Sequence, residues 1–116
     1  MRDNSDYLIW CKDIIQSIDL IESYVAHISE EEFFNTMAWQ DAVVRRLEVI
    51  GEAVNRLPDD LKKNNPDIAW NKAIGMRNIL IHEYFNVDPG ITWNSLKNDL
   101  PVFKKQIQEI IDKKVS

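Results

Sequence analysis

The chain of 116 residues has little of the usual punctuation: one cysteine, three glycines and four prolines. A lone Cys11 excludes an internal disulfide, and no CxxC or Cys/His spacing accompanies it to suggest zinc. It suits a reducing compartment and a place in the core. Period-two alternation and hairpin dipeptides are missing, which argues against strands. No apolar run approaches the roughly 20 residues that span a bilayer. The opening MRDNSDYLIWCKD has neither the basic segment nor the unbroken apolar stretch of a secretory signal, so the cytoplasm is the expected location. Positive charge is also short, with 14 Lys and Arg against 19 Asp and Glu, for a net charge of -5. A general nucleic-acid binder would carry a high pI or a basic patch. The deficit is uneven, however. Residues 1–35 hold Arg2 and Lys12 against eight acids and account for -6, which leaves the rest of the chain near neutral at +1. An acidic face at one end and a locally basic cleft elsewhere are therefore compatible.

The residues that are present, 45% hydrophobic and 28% charged, suit one compact domain over 1–116 that is rich in helix. Apolar positions recur at Tyr7/Leu8, Cys11, Ile14/Ile15, Ile18, Ile21, Val25 and Ile28, in steps of three and four that mark one face of a long helix. Ser29 followed by Glu32 is a capping-box arrangement and starts a second helix. Its stripe runs through Phe33, Met37, Val43/Val44, Leu47, Ile50, Val54 and Leu57 to Pro58, with room for a break within 35–40. The polar stretch from Pro58 to Asp67 reads as a connection with one short helical turn. Asp67 is placed to cap a third helix through Trp70, Ile74, Met76 and Ile79–Ile81. Asp88 and Pro89 begin a last segment, interrupted or restarted at Asp99 and Pro101, that continues through Phe103, Ile107, Ile110 and Ile111. The expectation is an all-α, antiparallel bundle of four to five helices.

The third helix carries the chemistry. Asp67–Asp88 reads DIAWNKAIGMRNILIHEYFNVD, with Arg77, Asn78, His82 and Tyr84 set among bulky apolar residues. At about 100° per residue, Asn78 and His82 share one side, while Arg77 and Tyr84 fall nearly in line about 140° away. Simple stacking on one helix does not join Arg77 to His82; long side chains, a frayed end or a second subunit can. The groups suit phosphodiester cleavage without a metal. Histidine moves protons near neutral pH, an arginine fork holds the scissile phosphate, and RNA supplies its own 2′-hydroxyl nucleophile. Asn78 can orient His82 or touch phosphate, and Tyr84 can donate a hydrogen bond or stack on a base. Taken alone, the same residues also fit a structural role.

Arg77-Asn78, three further residues, then His82-Glu83-Tyr84 resembles the signature of HEPN ribonuclease toxins of the HepT type. The likeness extends through QDAVVRRLEVIGEAVNRLP (Gln40 to Pro58) with its Gly51-Glu52-Ala53 centre, through Ala69-Trp70 ahead of Arg77, and through VDPGITWNSLKNDLPVF. It implies an all-helical, HEPN-like protomer that forms a homodimer, with Arg77 and His82 of both copies lining a cleft as catalytic residues and Asn78 in support. It also implies a metal-independent endoribonuclease toxin acting on RNA, with no cofactor. Its partner would be an MntA-like nucleotidyltransferase antitoxin that blocks it by AMPylation of Tyr84. Glu83 puts an acid near the RNA path. The rival function is a non-catalytic HEPN-like module that binds nucleotide or a partner; a purely structural helical subunit is the other.

Other residues have plainer readings. Glu52 can line the cleft or sit on a helix surface beside small residues. Arg45 and Arg46 diverge by about 100°, so one is expected to be merely solvated, and neither is placed in the active site. Trp10, Trp39, Trp70 and Trp93 are expected to anchor the core or the dimer seam. His27 is expected to complement the carbonyl end of the first helix, and Glu30–Glu32 the amino end of the second.

Overall fold

In the computed structural model, which describes residues 7–75 and 93–115, the first apolar stripe forms helix α1 (Tyr7–Val25). Its Cys11, Ile14, Ile18 and Ile21 are fully buried. Ser29 then caps α2 (Glu30–Asn35) by accepting the Glu32 N–H at 3.0 Å. The Glu32 carboxylate accepts the Ser29 hydroxyl at 3.4 Å, and three glutamates occupy the first turn, where the helix dipole favours them. Thr36 has extended backbone (φ -126°, ψ 103°) and divides α2 from α3 (Met37–Arg56), a break within the window expected for one. Gln40, buried, ties the two together by donating to the Phe33 carbonyl at 3.0 Å.

Leu57 and Pro58 are extended and end α3, and α4 (Asp59–Lys63) is the short turn expected in the connection. It has acids first and lysines last, matching its dipole. The next helix, α5, covers residues 70–75 of the described chain. Asp67 does not cap it, contrary to expectation. The N–H of Trp70, the donor an Asp67 cap would accept from three residues on, is taken instead by the Ile68 carbonyl (2.9 Å), and that of Ile68 by Asn65 (3.2 Å). Ala69 begins the helix instead, its carbonyl accepting from Lys72 and Ala73 at 3.1 and 3.4 Å.

Helix α6 covers residues 93–115 and includes a π-helical stretch, Ser95–Asp99, followed by an α-helical Leu100–Val115. The expected interruption near Pro101 is therefore a widened turn within a continuous helix. Pro101 has no N–H for the carbonyl four residues back, and its ring crowds that carbonyl. The π turn absorbs this: the Leu100 N–H reaches the Ser95 carbonyl, five residues back.

Helix directions follow from end-to-end contacts. Tyr24, late in α1, meets Trp39, early in α3 (ring centroids 6.0 Å apart), while Arg56 at the end of α3 lies over Trp10 near the start of α1. Lys114 near the end of α6 lies over Tyr7, and Lys104 pairs with Asp19 and Glu22 late in α1. Both α3 and α6 therefore run antiparallel to α1, which packs against each of them. Ile14, Ile18, Ile21, Leu47, Ile50, Leu96 and Ile107 fill the space among the three, each at least 98% buried. Burying one such side chain stabilises the fold by about 1.5–3 kcal/mol. Among the described residues every regular element is a helix, and none is long and apolar enough to cross a membrane. The fold is all-α, as expected.

Candidate functional site

Arg77, Asn78, His82, Glu83 and Tyr84 lie in residues 76–92, outside the described residues. The segment that leads into them in sequence is described. Trp70, at the start of α5, is buried; its indole N–H donates to the Asn65 carbonyl at 3.1 Å and its ring meets Phe103 of α6 edge-on, centroids 5.9 Å apart. Two residues on, the Lys72 ammonium reaches the Asp99 carboxylate of the π turn at 2.8 Å. That hydrogen bond holds the Asp99 carboxyl below its usual range, against the opposing effect of partial burial and with help from the Ser95 hydroxyl. An open cleft of about 230 Å³ lies between α5 and α6, lined by Asp67, Lys72, Ala73, Asp99, Phe103 and Gln106 among others. In the sequence Asp99 marks only an interruption of the last helix. Lys72 and Asp99 are far apart in sequence, and no local pattern links them.

The Gly51-Glu52-Ala53 centre of α3 divides as small-residue packing requires. Gly51 and Ala53 are buried, whereas the Glu52 side chain is 64% exposed and accepts from Arg56 at 2.9 Å. Arg56 also stacks 4.9 Å from the Trp10 ring centroid. Glu52 thus lies on the helix surface beside two buried small residues. It borders a shallow groove between α1 and α3 with Trp10, Asp13, Arg45, Glu48 and Val49. Arg45 is exposed and sits 3.8 Å from Glu48, while Arg46 is half-buried.

The tryptophans take their packing roles: Trp70 lies in the core, and Trp10, Trp39 and Trp93 pack against it. Trp93 meets Phe33 of α2 with centroids 5.6 Å apart and carries Lys97 above its ring. His27 is exposed just past the end of α1. Cys11 is fully buried, and burial pushes its thiol up to about 11, which suits an inert core residue.

An all-α domain of antiparallel helices whose fifth helix leads into an Arg-Asn…His-Glu-Tyr segment defines a class, and comparison with known proteins identifies it. The family described as "Ribonuclease HepT-like" matches residues 14–110, and the chain belongs to that family. It is 39% identical over 109 residues to the "Probable ribonuclease HepT" of Thermococcus cleftensis, covering 94% of this chain and 96% of that one. It is 36% identical over 104 residues to a "Putative RNase" of Caldanaerobacter subterraneus, covering 90% and 93%. It is also 42% identical over 107 residues to the "Gamma-glutamylcyclotransferase and putative RNase" of Methanocaldococcus jannaschii. That match takes in 92% of this chain but 48% of the relative, so the chain spans about half the length of that protein. No solved structure matches the chain.

Proposed function

We propose that the chain is a metal-independent endoribonuclease, the toxin of a toxin-antitoxin pair, working in the cytoplasm as a homodimer. The observation that carries this reading is that the Arg77-Asn78…His82-Glu83-Tyr84 segment lies inside the 14–110 region matched to the HepT-like ribonuclease family. In this reaction the 2′-hydroxyl oxygen of RNA attacks the adjacent phosphorus and the bond to the 5′ oxygen breaks. The products are a cyclic phosphate and a 5′-hydroxyl. One proton must leave the nucleophile and one must reach the leaving oxygen. Two copies of His82 facing one cleft supply the base and the acid together, and Arg77 offsets the charge that develops on the phosphate. Asn78 orients the imidazole or the phosphate.

Tyr84 is the control point. An MntA-like nucleotidyltransferase antitoxin that attaches AMP to its hydroxyl places phosphate beside Arg77, filling the cleft and occupying the charge meant for RNA. Expressed without an antitoxin, the wild-type chain arrests growth of its host and His82→Ala does not. Equal tolerance of the two proteins contradicts the toxin reading and leaves the non-catalytic binding module.

A further inference from the structure

We draw no further inference here: the strongest candidate, the groove along α6 where the open cleft beside Lys72 and Asp99 meets a second one beside Asn64 and Lys113 at the shared residues Asp67 and Gln106, is partly apolar with both signs of charge on its rim, and nothing in the structure shows what covers it.

Discussion

Arg56 lies 4.9 Å from the centre of the Trp10 ring while its guanidinium grips Glu52 at 2.9 Å, so one arginine fastens the end of α3 to the start of α1. The cation over the ring, more than the ion pair, matters here, because both charged side chains are more than half exposed. Glu52→Gln should shift stability by less than about 0.5 kcal/mol, whereas Arg56→Ala should cost about 1 kcal/mol through the lost ring contact and packing. Urea denaturation of the two variants separates these effects. A catalytic role for Glu52 would instead appear as lost RNA cleavage by Glu52→Gln at full stability.

The core makes the larger demand. Ile18 is fully buried at the centre of α1, and Ile18→Ala removes three carbons from a space that neighbouring helices cannot easily close. The expected cost is about 2–5 kcal/mol, read as a lower urea midpoint with an unchanged slope. An exposed counterpart, Ile9→Ala, should change stability by less than about 0.5 kcal/mol, since Ile9 is 61% exposed.

Much of this architecture was legible because local rules and packing agree. The steps from Cys11 to Val25 recur as the buried face of α1, and Ser29 caps α2 through the N–H that the capping box designates. The connection after Pro58 holds its single short helix. The failures have a different cause. The residue type of Asp67 favours a cap, yet the Ile68 carbonyl takes the Trp70 N–H that such a cap would accept, and the helix starts at Ala69. The π turn leaves the apolar pattern of Leu96, Leu100 and Phe103 intact, so periodicity alone showed only a proline-related interruption. The Lys72–Asp99 contact is a tertiary meeting of two exposed-type residues, invisible to any window of sequence. Arg77, His82 and Tyr84 were legible as a motif, and they fall in 76–92, outside the described residues.

Cys11 gives a pH-dependent prediction. Burial raises its thiol from 9.0 to about 11, so between those values the folded chain keeps a proton that the unfolded chain has released. The resulting stability is complete below about pH 9 and is lost as pH rises toward 11. Tyr7, also raised, first by burial and then by Cys11, contributes in the same direction. Relative to the wild type, Cys11→Ala should lose less stability between about pH 8 and pH 11. In the native wild type the thiol should resist iodoacetamide and react promptly once the chain is unfolded in urea; fast labelling of the native protein would contradict the core assignment.

Regulation through Tyr84 predicts a mass change. Co-expression with a nucleotidyltransferase antitoxin should add one or more AMP masses to the chain, located at Tyr84 by fragmentation, and Tyr84→Phe should show none. The same variant should remain toxic in the presence of the antitoxin. Modification that survives Tyr84→Phe points to another acceptor.

The most direct test is cleavage of RNA by unmodified wild-type and His82→Ala proteins in EDTA, with the product ends analysed. The account predicts cutting by the wild type that leaves cyclic phosphate and 5′-hydroxyl ends and is lost in the variant. An unmodified, folded dimer that leaves RNA intact, or a variant that cuts as well as the wild type, contradicts it.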